Sequence, residues 1–533
     1  MLPCVIFEDD HLLVVNKPPG WNTHAPGPYA GEGIYDWLRH RESRWAALAI
    51  VHRLDKETSG VLVFGKTSEA NRSLTAQFAG RQVRKKYLLL TDRPAPAQPL
   101  TVQSALVRVG EKYLSRPPHA GAGIAETRFQ PMPGSALKTQ NSKLKILTAE
   151  PLTGRTHQIR VHAADRGFPI LGDACYGGTA AGRLFLHAAE ISFVHPATSK
   201  RVTFETPPDF DADPASELRR MSIDPEQTNA FRLIHGAADS WPGWAVDRLG
   251  DFLLSQAERP PRDDQRKELE RLAGDFAIRG AYHKILSRQI RRTQPDQSSP
   301  RLVWGKSAPE RFEIRENGVR FELSFQEGYS VGLFLDQRDN RRRLLTRHIA
   351  ADFDLPLAPG GGLLNVFAYT CGFSVCAAQA GFETTSLDLS RKYLDWGRRN
   401  FQLNRLDPTA HEFIYGDAFD WLRRLAKKRR NFDCIILDPP TFSQSREHGA
   451  FKVERDWGRL LTAALPLVKP GGILFGSSNA ADWPPEKFVS DGERAIQSAG
   501  RKIVQRRYFP QPPDFPVSRF EPAYLKTIWW RIE

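Results

Sequence analysis

Asn365-Val366-Phe367-Ala368-Tyr369-Thr370-Cys371-Gly372-Phe373-Ser374 reads as the end of a strand, a turn of small residues and the start of a helix. Such a turn presents backbone N–H groups and a helix N-terminus to the anionic group of a ligand. It lies inside Leu355–Phe382, 28 residues without a charge, long enough to imitate a membrane span. Pro356, Pro359, the glycines at 360–362 and the polar Asn365, Thr370, Ser374 and Gln379 break that run, so the pattern predicts a loop, a buried strand, a turn and a helix. Downstream, strand and helix patterns alternate through Thr384–Leu389, Lys392–Leu403, Glu412–Tyr415, Trp421–Lys428, Cys434–Leu437, Leu460–Val468 and Ile473–Gly476. Alternation at that pace predicts a parallel, doubly wound α/β sheet.

Working outward, 533 residues are too many for one domain. The first 206 residues read as β-rich α+β, with strand-like Val5–Asp9, Leu12–Asn16, Val61–Phe64 and Tyr87–Leu90. Pro207-Pro208-Asp209 opens a stretch rich in Pro, Asp and Ala, a composition that marks linkers. The expected order is a β-rich domain at 1–208, a linker at 209–227, a small β-rich module at 228–325 and the doubly wound domain at 326–533.

Hydrophobic residues at 41% and charged residues at 26% exclude a disordered or membrane-embedded bulk. Lys and Arg number 75 against 61 Asp and Glu, a net charge of +14 shared by both halves. That surplus favours a polyanionic partner, although a solvated basic surface accounts for charge alone equally well. Five cysteines without a CxxC pair argue against a disulfide scaffold or a structural zinc site and fit a reducing cytoplasm. Glu8, Asp9 and Asp10 fall where a signal peptide would be apolar. No metal and no membrane partner is expected.

His52-Arg53-Leu54-Asp55-Lys56-Glu57-Thr58-Ser59-Gly60 puts a carboxylate between two cations, just before a turn into a strand. Alone it is an ordinary surface turn. Read together with Asn16-Lys17-Pro18-Pro19-Gly20, Arg84-Lys85-Lys86-Tyr87 and Gly154-Arg155-Thr156-His157-Gln158-Ile159-Arg160-Val161-His162, it resembles the pseudouridine synthases of the large-subunit ribosomal RNA type, over about residues 4–206. The resemblance implies that Asp55 is the catalytic carboxylate, attacking the sugar or drawing a proton from it. It further implies that Arg160 pairs with Asp55 through its guanidinium fork, that Tyr87 stacks on the base, and that Arg53 enters the gap a flipped base leaves. Each has a plainer reading: Tyr87 as a core aromatic, Arg160 as a phosphate contact. His157 and His162 read as helix-packing residues.

In the second half, Asp388 ends the next strand after the 365–374 turn, where a carboxylate binds two ribose hydroxyls. Asp417 follows the strand after that, and Asp438-Pro439-Pro440-Thr441-Phe442 the next. This series resembles class I S-adenosylmethionine-dependent methyltransferases. With Gly332-Leu333-Phe334-Leu335-Asp336-Gln337-Arg338 and Asp388-Leu389-Ser390-Arg391-Lys392-Tyr393-Leu394, it resembles the bacterial enzymes that methylate 23S ribosomal RNA at cytosine carbon or guanine nitrogen. The resemblance implies an S-adenosylmethionine site formed by Asn365, Phe367, Ala368, Thr370, Gly372, Asp388 and Asp417, with Gln337 and Arg338 closing over the cofactor. Asp438 and Pro439 would line the methyl-transfer end. A dehydrogenase reading fails because the turn lacks the G-x-G-x-x-G spacing. An RNA-binding assembly factor with one or both sites idle is the alternative from another class.

Methylating cytosine carbon 5 calls for a thiolate beside the base. The cytosine-methylating relatives carry it after the strand that follows Asp-Pro-Pro, where this chain has Ile473-Leu474-Phe475-Gly476-Ser477-Ser478-Asn479. A ring nitrogen, N7 of guanine, is the expected acceptor, with Phe442 stacked on the base.

Overall fold

The computed structural model describes residues 2–118, 123–132, 144–286, 299–328, 330–356, 360–445, 449–517 and 521–533. The chain divides into two compact units: one comprises Met1–Ala25, Gly33–Arg39 and Ala47–Ile223, the other Pro26–Glu32, His40–Ala46 and Asp224–Glu533.

The first unit is built on an eleven-stranded mixed sheet. Its centre holds β1 (Leu12–Lys17) antiparallel to β2 (Ser59–Gly65), and β3 (Arg84–Thr91) antiparallel to a later strand, Leu186–Val194, that runs parallel to β2. All seven residues of β2 are buried, which explains the run Val61-Leu62-Val63-Phe64. Gly60 ends the acidic motif because its backbone sits at φ +116° and a Cβ would meet the carbonyl oxygen of Ala188 at 2.2 Å. Helix α1 (Gln158–Asp165) lays Ile159 and Ala163 against Leu89, Leu147 and Phe168, so one face is core and the other reaches the acidic motif.

The stretch 209–227 is corrected from open linker to ordered structure. Asp213 caps the helix Pro214–Ser222 by accepting from the Ser216 N–H, and Pro214 occupies its first turn. Pro and Asp, taken from composition as linker residues, are here a helix-start signal. Glu217 in that helix is buried against Arg183 at 2.9 Å. The boundary between units falls at Ile223 and Asp224.

The second unit starts with a five-stranded sheet over Ala230–Gly305 and a hairpin, Phe312–Glu316 with Val319–Leu323. Phe252, Tyr282, Phe312 and Phe321 share one core cluster with Leu363, Phe373 and Phe475, so the β-rich module and the α/β part form one unit. The main sheet has seven strands. Five are parallel: β4 (Gly362–Val366), β5 (Glu383–Asp388), β6 (Glu412–Tyr415), β7 (Phe432–Leu437) and β8 (Val468–Ser478). β9 (Ile503–Phe509) lies at the edge and β10 (Lys526–Ile532) runs antiparallel between it and β8, which makes the sheet mixed rather than wholly parallel. The order β6-β5-β4-β7-β8-β10-β9 reverses direction between β4 and β7, the crevice where open α/β sheets bind ligands. Among the described residues no helix is long and apolar enough to cross a membrane.

Candidate active sites

In the first unit a cavity of about 840 Å³ opens around Asp55, with Arg53, Lys85, Tyr87, His157 and Arg160 in its wall. Asp55 sits in the turn before β2, where its carbonyl accepts the Thr58 N–H. Behind that turn Lys17 is fully buried, and its Nζ donates to the carbonyls of Pro18, Trp21 and Lys56 at 2.9, 2.8 and 3.0 Å. Burial pulls this amine down to about 7, against the pull of Glu57 and Asp55. One side chain therefore ties its own loop at 18–21 to the Asp55 turn at Lys56, and this is the structural content of the Asn16–Gly20 motif.

Arg160 reaches Asp55 with Nη1 alone, at 3.5 Å. The expected two-pronged pair is made instead with Asp173: Nε and Nη2 each donate at 2.8 Å. Burial opposes the guanidinium charge, but Asp173 outweighs it and the group ends above its ordinary value. Tyr87 stands on β3 facing the cavity, its phenol raised first by burial and then by the Asp55 charge, so it stays protonated. Arg53, also in the cavity wall, is exposed.

The two histidines part company. His162 is buried between the hydroxyls of Ser104 and Thr127 and is structural. His157, at φ +56° just before α1, brings Nε2 to 3.8 Å from Asp55, while Nδ1 lies 2.8 Å from the Tyr176 hydroxyl. Burial lowers its pKa, which favours the neutral imidazole. Sequence reasoning passed over Asp173 and Tyr176, which sit together in Gly172–Gly177 after the last motif it used.

The second cavity, about 1260 Å³, lies at the C-terminal ends of β4 to β8. The turn after β4 carries three non-glycine residues in the left-handed region, Phe367 at φ +62°, Tyr369 at +48° and Cys371 at +63°. Asp388 holds it there: Oδ2 accepts the Tyr369 N–H and Oδ1 the Ser390 N–H, both at 2.8 Å. Burial raises the Asp388 pKa and those backbone donors oppose it. Each oxygen keeps a lone pair for a ligand hydroxyl. Asp417 faces the cavity and caps the helix Ala418–Lys427 by accepting from Phe419 at 2.9 Å and Asp420 at 3.3 Å.

At the far end Asp438 accepts from Gln337 at 3.1 Å and from the Ser477 hydroxyl, and burial pushes it up to about 6. Asp336, raised by burial, lines the same end and accepts from the Tyr524 hydroxyl at 3.0 Å. Phe367, Ala368, Thr370, Gly372 and Pro439 also line the cavity, although the Thr370 proton is given to the Gly332 carbonyl at 2.5 Å.

Two expected residues do not line it. Arg338 begins a helix with its side chain turned inward, paired with Asp514 at 2.8 and 2.6 Å, while Gln337 beside it faces the cavity. Asn365 is buried under the turn and donates to Ser374 at 2.9 Å. Phe334, Tyr369, Tyr393 and Phe419, which the motifs did not single out, form much of the apolar wall; their signal was an aromatic beside each motif.

No cysteine lines this cavity among the described residues; Cys371 and Cys376 are buried, and burial raises both thiols, the first to about 12. A diol acceptor at the end of the second strand, a capping carboxylate at the third and aromatic walls between them fit an adenosyl cofactor. Among the described residues no group of His, Cys, Asp or Glu is placed to hold a metal ion.

Residues 231–531 match the family model for S-adenosylmethionine-dependent methyltransferase, and residues 11–165 match that for RNA pseudouridylate synthase. The ribosomal RNA large subunit methyltransferase of Deinococcus radiodurans is 32% identical over 317 residues, 57% of this chain and 73% of its own. The ribosomal RNA large subunit methyltransferase I of Klebsiella pneumoniae is 32% identical over 327 residues, 60% of this chain and 78% of its own. Among solved structures, a methyltransferase complexed with SAH superposes with a TM-score of 0.51 at 28% identity, covering 60% of this chain and 79% of that one.

Proposed function

The chain belongs to the S-adenosylmethionine-dependent methyltransferase family and carries an RNA pseudouridylate synthase domain, and on that premise we propose that it both isomerises a uridine and methylates a base in large-subunit ribosomal RNA. The observation that carries the reading is that each matched stretch holds its own cavity with its own carboxylates, one around Asp55 and one around Asp388, Asp417 and Asp438. Such a substrate puts the enzyme in the cytoplasm.

In the first cavity Asp55 acts on the ribose so that uracil detaches, turns and rejoins through carbon. Tyr87 supports the base as a neutral ring, and Arg53 fills the stack the base has left, offsetting part of the few kcal/mol of unstacking. In the second, S-adenosylmethionine supplies an electrophilic methyl group. Asp388 would accept its ribose hydroxyls, and Asp417 would hold the adenine side. Asp438 and Gln337 shape the transfer end, where the half-exposed Phe442 offers a face for an unstacked base. The acceptor is a nitrogen, N7 of guanine, which needs only alignment with the methyl at about 3–3.5 Å. This rests on the serine at 477, whose proton is already given to Asp438, and on the lack of a thiol in the wall.

The test is nucleoside mass spectrometry of large-subunit ribosomal RNA from a deletion strain after treatment with the purified enzyme. Pseudouridine together with 7-methylguanosine is expected. Formation of 5-methylcytidine, or a covalent adduct with 5-fluorocytosine-substituted RNA, would overturn the nitrogen assignment.

A further inference from the structure

Outside its cavity the second unit carries a charged surface that packing does not explain. Arg423-Arg424-Leu425-Ala426-Lys427-Lys428-Arg429-Arg430 sets six cations in eight residues, on and just after the helix Ala418–Lys427. Ala418, Leu422 and Leu425 turn the apolar side of that helix inward, while Trp421, Arg424 and Lys428 follow at i, i+3 and i+7 along another face. On other helices of this unit exposed cations meet acids: Arg271 pairs with Glu268 and Asp275 at 2.6 Å each, and Lys487 with Asp491 at 2.6 Å. Here the two ends of the run are paired, Arg423 with Asp420 and Arg430 with Glu412. Between them Arg424, Lys427, Lys428 and Arg429 meet no carboxylate among the described residues.

The helix dipole favours cations at this C-terminal turn, but it does not account for the aromatic surface they continue into. Tyr415, at the end of the edge strand β6, is 52% exposed, and Leu389, just past its neighbour in β5, is 46% exposed. The Arg391 guanidinium carbon lies 5.3 Å from the centre of the Tyr415 ring, and that of Arg424 lies 5.2 Å from the centre of Trp421. Trp421 is fixed in place: its Nε1 donates to the Tyr415 carbonyl at 3.2 Å, and a Cβ on Gly416 would meet that nitrogen at 2.3 Å. Leu389 and Gly416 also line the second cavity, so the strip starts at its rim.

We propose that this strip is a docking track for a single-stranded segment of the substrate RNA, adjoining the base to be methylated: Tyr415 and Trp421 stack on bases while Arg391, Arg424 and Lys428 meet phosphates. Every base has a π face and every nucleotide a phosphate, so rings interleaved with cations hold a flexible strand without reading its sequence. A duplex keeps its bases stacked inside and would engage the cations alone. The inference rests on the proposed action of the second unit on RNA.

The experiment is photo-crosslinking of the full chain to a single-stranded RNA dodecamer containing 4-thiouridine, with adducts mapped by peptide mass spectrometry. Methylation kinetics on large-subunit ribosomal RNA from a deletion strain give a second reading. Adducts are expected within residues 389–430. Tyr415→Ala should lower both the adduct yield there and kcat/KM for RNA about 5- to 50-fold, and Tyr415→Phe should keep both. Arg424→Gln combined with Lys428→Gln should flatten the slope of log kcat/KM against log salt by about 1.4, two single-strand phosphate contacts. Each variant should bind S-adenosylhomocysteine as the unaltered chain does, which shows that the second unit is folded. Should Tyr415→Ala lose that affinity, the adduct map of the unaltered chain decides alone. Adducts confined to other peptides overturn the proposal, and so does a folded Tyr415→Ala with unchanged kcat/KM. A loss seen only in the Arg424 and Lys428 variant marks a duplex contact or a solvated basic face, and overturns it too. The reading beneath fails separately: if the unaltered chain methylates no ribosomal RNA while adducts still map to the strip, the track stands and the substrate assignment falls.

Discussion

Asp438 couples its protonation to the charge of what binds beside it. Burial holds it near 6 in the free protein, with Asp336 raising it further while Ser477, Arg341 and Gln337 pull the other way. A sulfonium cation nearby favours the ionised form, so its binding strengthens as pH rises through about 6 and levels off above it. S-adenosylhomocysteine has the same skeleton without that charge. Calorimetry at pH 5.5 and 7.5 should therefore show S-adenosylmethionine gaining affinity about two- to fourfold while S-adenosylhomocysteine changes little; equal gains for both would refute the coupling. The carboxylates at strand ends were legible because each closes an apolar run, where only a ligand or a cap explains a charge. Arg338 was not, since Gln337 and Arg338 are neighbours in sequence and only Asp514, far along the chain, decides which turns inward. Asn365 misled in the same way: its partner Ser374 lies under the turn it appeared to serve.

At the scale of elements, the turn after β4 depends on a glycine in a different helix. Gly397, in Arg391–Leu403, lies so close to Cys371 that a Cβ would meet its sulfur at 2.4 Å. Gly397→Ala should destabilise the protein by about 1–3 kcal/mol and weaken S-adenosylmethionine binding, because the displaced Cys371 carries the turn with it. Cys371→Gly in the same chain should restore both to within about 1 kcal/mol, the added methyl filling the space the thiol left. Thermal melts and cofactor titration of the two variants and their combination settle it; simple additivity would show that the two positions do not interact. The left-handed backbone at Cys371 places a cysteine where such turns favour glycine. Its compensation at Gly397 was not legible, because helix–turn contacts across 25 intervening positions leave no periodic signal. The parallel strands β4 to β8 were readable from their apolar runs, whereas the antiparallel insertion of β10 is fixed by tertiary pairing alone.

For the whole chain, the stretch taken as a linker turns out to finish the first unit. A fragment ending at residue 208 lacks Glu217 and strands Arg183 in the interior, where it also holds Ser59 at the start of β2. A fragment ending at 223 keeps the pair. Removing one partner of a buried ion pair costs about 3–5 kcal/mol, so the longer fragment should be markedly more resistant to urea. Equal midpoints would show that the Pro214–Ser222 helix contributes nothing to the unit. Composition pointed to the right neighbourhood for the boundary, since proline and aspartate are scarce within elements. It could not tell a linker from a capped helix, because the same two residues serve both.

The position of Glu217 also has a meaning in time. A ribosome adding about 5–20 residues per second needs roughly 15–60 s to make Asp224–Glu533 after the first unit's last residue has been joined. Throughout that interval the Arg183 guanidinium has its counter-ion already synthesised, whereas with a distant C-terminal partner it would wait uncompensated in a half-built interior. The closing helix therefore works as a vectorial seal, ending the exposure of one core before Asp224–Glu533 exists to compete for it.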